Sequence, residues 1–233
     1  MGRPRPRILP ALAPPLAGLA AVLLLAAPAA AAPLEIHRAD FSVHLDPRFR
    51  ALYATVVLTV RNAGGDSVDV LEFEFPAPLG PQAQVLAAWD REGPLEWRSD
   101  PVSDPVDVGA SRELLVALRR MLRPGKKLVL GLRYEIALPA LSVNAPAGID
   151  ADAARLATSG WYPLPARTSN ALPHKLRLDV RLPNGWRVRS LARVKERVTG
   201  TALSHYSLEL NSVRPNEELL RAEAPPGAEP SEN

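Results

Sequence analysis

The chain has no cysteine. That excludes disulfides, cysteine-bound zinc, a thiol nucleophile and lipid attachment through sulfur, so an apolar core has to hold the fold. Aromatic residues are few, four each of Phe, Trp and Tyr. Each large ring therefore carries a sizeable part of whatever core forms. The body of the chain has no charge excess. Arg3, Arg5 and Arg7 precede Ile8, and the remaining Lys and Arg equal in number the 25 Asp and Glu. Without a net basic face, nucleic acid is excluded as a main partner. No phosphate loop, dinucleotide fingerprint, Gly-x-Ser-x-Gly or His-Glu-x-x-His occurs. No cofactor and no metal site is expected on that ground. A long apolar run is lacking too. A spanning helix needs roughly 20 apolar residues, and Pro10, Pro14, Pro15 and Pro28 interrupt the one apolar region.

That region reads as a secretory signal peptide over residues 1–31. The three arginines form its charged start, Leu16 to Ala27 its apolar centre, and Ala29-Ala30-Ala31 a small-residue cleavage site. The expectation is an exported protein, periplasmic or extracellular, with no stable membrane insertion after cleavage. The 233 residues include 25 prolines, which favours short strands and loops over long helices.

From Leu34 onward the apolar period is two. Strands are predicted over 34–45, 51–61, 68–75, 83–90 and 112–119, with helix competing in the last. Leu128, Leu130, Leu132, Tyr134, Ile136 and Leu138 form the clearest alternation. Residues 139–157 lack a pattern and read as a long connection, with a helical turn or two between Ile149 and Leu156. Ser99 to Pro105 reads as a loop. Residues 174–182 and 186–192 are predicted to pair as a hairpin across Pro183-Asn184-Gly185. A second hairpin is predicted for 194–199 with 202–210, and a last strand for 217–223. The fold class is all-β: an antiparallel sandwich or saddle-like domain over 32–224, followed by a disordered tail at 225–233.

The candidates for chemistry are few. His37, His44, His174 and His205 show no metal-ligand spacing. Glu72 and Glu74 share a strand face roughly 7 Å apart, within the range of inverting glycosidases; the solvated face of a half-buried strand is the reading adopted, because alternation alone generates such pairs, and a hydrolase is the minor alternative. Asp100, Asp104 and Asp107 suit Asp-Pro turns better than a calcium loop. Arg187, Arg189, Arg193, Lys195 and Arg197 form either an anion site or a solvated face. Trp161 and Tyr162, in Gly160-Trp161-Tyr162-Pro163, either line a groove for a peptide or glycan ligand or plug the end of a sandwich.

Three stretches together resemble the N-terminal β-domain of the M1 family of zinc aminopeptidases. Phe41-Ser42-Val43-His44-Leu45-Asp46-Pro47, followed by Ala54 to Asn62, is similar to that family's "x-L-x-L-D-P … G-x-V-x-I-x-x-x-N". Leu122 to Glu135 is similar to "L-x-P-G-x-x-x-x-L-x-I-x-Y". Gly160-Trp161-Tyr162-Pro163, leading through Pro173-His174-Lys175 to Trp186, is similar to "W-Y-P … F-x-L-x-V-x-x-P-x-G-W". The match runs over residues 35–210. It implies a saddle-like β domain of the kind that packs beside a thermolysin-like catalytic domain. The family's catalytic and zinc-binding motifs have no counterpart here. The resemblance therefore implies a non-catalytic binding or accessory module, with a peptidase-like subunit as protein partner.

Overall fold

The computed structural model describes residues 33–102, 111–142, 144–166, 168, 172–199 and 202–226. The leader at 1–31, most of the tail, Asp104, Asp107 and Gly200 lie outside them. In chain order the strands are β1 (Leu34–Asp46), β2 (Ala51–Asn62), β3 (Val68–Phe75), β4 (Ala83–Asp90), β5 (Gly93–Pro94), β6 (Trp97–Val102), β7 (Ser111–Leu122) and β8 (Lys127–Ala137). There follow β9 (Ala147–Ile149), β10 (Ala153–Ala157), β11 (Leu164–Pro165), β12 (Lys175–Pro183), β13 (Arg187–Ser190), β14 (Lys195–Thr199), β15 (Leu203–Leu210) and β16 (Glu218–Glu223). A 3-10 turn at Gly80–Gln82 is the one helical element among the described residues.

Eight strands form a large sheet in the order β14-β15-β12-β1-β2-β8-β4-β5. Two smaller sheets run β13-β16-β10-β9 and β11-β3-β7-β6. Every pairing is antiparallel except β1 with β12, which run parallel from Arg38 opposite Lys175 to His44 opposite Arg181. The period-two pattern explains the packing directly. Alternate residues of β1 (Phe41, Val43, Leu45), β2 (Leu52, Ala54, Val56, Leu58, Val60) and β8 (Leu130, Leu132, Tyr134, Ile136) are buried. Leu71, Phe73 and Phe75 of β3 and Leu114 and Val116 of β7 join the same core, as do Leu156 of β10 and Leu220 and Ala222 of β16. Phe75 meets Tyr134 edge-on, with ring centroids 5.1 Å apart.

Asn62, at the end of β2, is fully buried. Its side-chain amide donates to the carbonyl oxygens of Asp66 (2.7 Å) and Leu122 (2.9 Å), and its Oδ1 accepts from the Gly64 amide at 2.9 Å. Its backbone pairs with Lys126 and Gly125. One side chain thus ties the loop after β2 to the end of β7, and its backbone holds the turn before β8.

Several expectations are corrected. Residues 174–182 and 186–192 do not form a hairpin. β12 is flanked by β1 and β15, and β13 pairs with β16 in another sheet. Gly185, at φ +86°, turns the chain out of the large sheet. Residues 139–157 are not a patternless connection, since β9 and β10 lie within them and Ile149–Leu156 contains no helix. Alanine and arginine favour helix locally, but pairing of β10 with β16 on one side and β9 on the other overrides that preference. Helix likewise loses to strand in β7, which is paired on both sides by β3 and β6. Ser99 to Val102 belong to β6, and Pro101 is accommodated because β6 is an edge strand.

Tyr134 contributes a prediction. The side chain is fully buried, yet among the described residues its phenol oxygen has no hydrogen-bond partner. Burial pushes the phenol well above its usual range, and the neighbouring Tyr162 adds to the shift. An unsatisfied buried hydroxyl is unfavourable by about 1–3 kcal/mol. Tyr134→Phe keeps the ring against Phe75 and is expected to raise the urea midpoint. An unchanged or lower midpoint would show that the hydroxyl is satisfied in solution.

Candidate functional site

Trp161 and Tyr162 follow β10 in a loop held from both ends. Gly160, at φ +92°, is forced by its surroundings as well as its conformation, since a Cβ there would lie 2.5 Å from Pro146. Both aromatic side chains then reach back four residues. Trp161 Nε1 donates to the Ala157 carbonyl and Tyr162 OH to that of Thr158, each at 2.6 Å. Their rings meet edge-on at 5.0 Å, and both pack on Phe41 of β1 at 4.8 and 4.9 Å. The Thr158 amide donates to the Glu217 carbonyl, and the Glu217 amide donates to Thr158 Oγ1. Both rings are 0% exposed, and burial raises the Tyr162 phenol. In this arrangement neither side chain faces a groove. Their polar ends are used internally, and their faces are covered by Phe41 and by each other. Ser159, Gly160 and Leu164 of the same loop do reach a cleft of about 490 Å³.

Glu72 and Glu74 lie on β3, on the face opposite Leu71, Phe73 and Phe75, and both are half-buried. Glu74 is opposite Glu113 of β7, and Glu72 opposite Leu115. Neither carboxylate has a hydrogen-bond or ion-pair partner among the described residues, and Glu72 Oε2 is itself buried. Asp100 is bound by its neighbour Arg98. Arg187 and Arg189 are exposed on β13, opposite Glu223 and Arg221 of β16. Lys195 lies instead at the start of β14, on the edge of the large sheet.

The histidines bring one pair that spacing did not disclose. His37 and His174 are far apart in the chain, yet their rings are 5.1 Å apart. The parallel pairing of β1 with β12 and the backbone bond from His174 N to the Ile36 carbonyl produce this. Burial, then the positive charge of Lys127 and the proximity of His174, lowers the His37 pKa against the opposing pull of Glu35. Among the described residues no group of three or more His, Asp or Glu side chains is placed to hold a metal ion.

A site the sequence did not single out lies on the outer face of the large sheet. It is a pocket of about 330 Å³ lined by Ser42, His44, Tyr53, Thr55, Arg133 and Arg181, with Leu86 at its rim. Register assembles it from four adjacent strands. Arg181 of β12, His44 of β1 and Tyr53 of β2 form one cross-strand row. Ser42, Thr55 and Arg133, the last from β8, form the next. A bulge between Val85 and Ala87 in β4 brings Leu86 outward, 40% exposed. The His44 and Tyr53 rings are 6.0 Å apart. Period two marks each of these residues as outward-facing; only the register of non-local strands brings them together.

No family model matches the sequence, and no curated protein matches it. Solved structures do match in fold. An M1 zinc metallopeptidase from Deinococcus radiodurans aligns with TM-score 0.61 and 18% identity over 82% of this chain and 42% of that one. A mutant of an M1 zinc metallopeptidase from the same organism aligns at 0.60 and 19% over the same shares. A two-domain M1 zinc metallopeptidase mutant bound to L-tryptophan aligns at 0.60 and 18%, covering 43% of its chain. This chain therefore has a fold similar to that of part of these peptidases, and it spans less than half of their length.

Proposed function

We propose that this protein is an exported β-domain that acts as a non-catalytic accessory module to a zinc peptidase domain. The observation that carries the reading is the fold likeness, which takes in 82% of this chain but only 42% of the peptidase chains. The sequence agrees with it, since it contains no His-Glu-x-x-His to bind zinc and supply a general base. The charge balance after the leader suits a protein partner better than a polyanion. The leader's charged start, apolar centre and small-residue site support export.

The test is affinity purification of the tagged protein from the envelope fraction of its native host. A stoichiometric partner carrying His-Glu-x-x-His is expected, together with aminopeptidase activity that a chelator removes. A monodisperse monomer without that activity overturns the reading.

A further inference from the structure

We propose that the pocket on the outer face of the large sheet is a phosphate-binding site. Its lining is rich in donors and contains no carboxylate. Arg133 and Arg181 enter it from strands on opposite sides of β1 and β2, and both are exposed. Neither guanidinium has an ion-pair or hydrogen-bond partner among the described residues. This contrasts with other arginines described on the same face: Arg38 is paired with Asp40, Arg61 with Glu35 and Arg177 with Asp179. The carboxylates that flank the pocket lie outside its lining. Asp179, opposite Ser42, is engaged by Arg177 and by the hydroxyl of Ser207, and Glu135, opposite Tyr53, ends the row of Arg181, His44 and Tyr53 on β8.

The donor inventory selects the ligand. Two guanidiniums, the hydroxyls of Ser42, Thr55 and Tyr53, and the imidazole of His44 offer more donors than the two oxygens of a carboxylate can accept. A phosphate presents more acceptor oxygens and up to two charges, and it matches the arginine fork bidentately. The lining also holds apolar surface: Tyr53 and Leu86, 39% and 40% exposed, add an aromatic ring and an aliphatic side chain to it. A phosphate carried on an organic body, whether a small phosphoester or a lipid headgroup, would rest that body there.

The experiment is a titration of the isotope-labelled full chain with inorganic phosphate, followed by amide chemical shifts. Saturable shifts are expected at Ser42, His44, Thr55 and Arg133. They should weaken at least about tenfold in the R133Q/R181Q variant, since each loses a charge-assisted bond. An R187Q control, on the β13-β16-β10-β9 sheet, should bind as the parent does. Both substituted arginines are exposed, and an unchanged thermal midpoint confirms that the fold is kept. A second arm measures co-sedimentation with phosphatidylglycerol vesicles. Loss of co-sedimentation in R133Q/R181Q alone identifies a lipid headgroup as the source. Equal co-sedimentation of all three proteins, alongside phosphate shifts, identifies a soluble phosphoester. Absence of saturable shifts at these residues, or shifts retained in R133Q/R181Q, overturns the proposal.

Discussion

Trp161→Ala is expected to lower the unfolding free energy by about 3–5 kcal/mol, the range for removing a large buried aromatic side chain. A domain of ordinary stability has about 5–15 kcal/mol in all, so the variant should be marginal at room temperature. Three losses combine. The indole is fully buried, and its removal leaves a cavity between Phe41 and Tyr162, whose rings it contacts at 4.8 and 5.0 Å. The Ala157 carbonyl loses its 2.6 Å bond from Nε1. The loop then loses one of the two hooks that hold it against β1. Trp161→Phe separates these terms, because it keeps much of the ring contact and removes the hydrogen bond; it should cost about 1–3 kcal/mol. Urea denaturation followed by far-ultraviolet circular dichroism measures both. A Trp161→Ala protein as stable as the parent would sink the plug assignment and return the residue to candidate ligand contacts.

Asn62→Ala should cost about 3 kcal/mol, from three hydrogen bonds at about 1 kcal/mol each. Two carbonyl oxygens, those of Asp66 and Leu122, lose their donor, and the Gly64 amide loses its acceptor. Asn62→Asp sharpens the test. It retains an acceptor for Gly64 but places a carboxylate against two carbonyl oxygens in a fully buried position. It should therefore be no better than alanine. If Asn62→Asp proves as stable as the parent, the amide donors contribute little and the loop is held by its backbone bonds to Lys126 and Gly125.

The strands were legible in the sequence because alternation is a local property. Leu128 to Leu138 could be placed with one face inward before any partner was known, and Leu128–Ala137 is strand throughout. Partner choice is non-local and was not legible. Pro183-Asn184-Gly185 has the chemistry of a hairpin turn, yet it separates strands that belong to different sheets. β9 and β10 escaped because Ala147, Gly148, Ala153 and Ala154 carry too little side chain to display a period. The site followed the same division. Ser42, Thr55 and Arg133 were readable as outward residues of separate strands, but the row they form depends on the register of β1, β2 and β8. Spacing rules see only neighbours in the chain and so do not bring His37 and His174 together. The two tightly bonded aromatics were better signalled, since a scarce Trp-Tyr pair framed by Gly160 and Pro163 suits a closed end of a core.

The parallel pairing of β1 with β12 also governs the order of assembly. β1 is an interior strand of the large sheet, and the partner on one of its sides is contributed only when Lys175 to Pro183 are available. Until then the apolar face of β1, with Phe41, Val43 and Leu45, lacks one flank, and Phe41 lacks the rings of Trp161 and Tyr162. Contacts of such sequence separation slow folding, because chain entropy is lost before they form. A chain emerging amino end first thus cannot complete its largest sheet early. The sheet closes around its own first strand only after β12 has appeared.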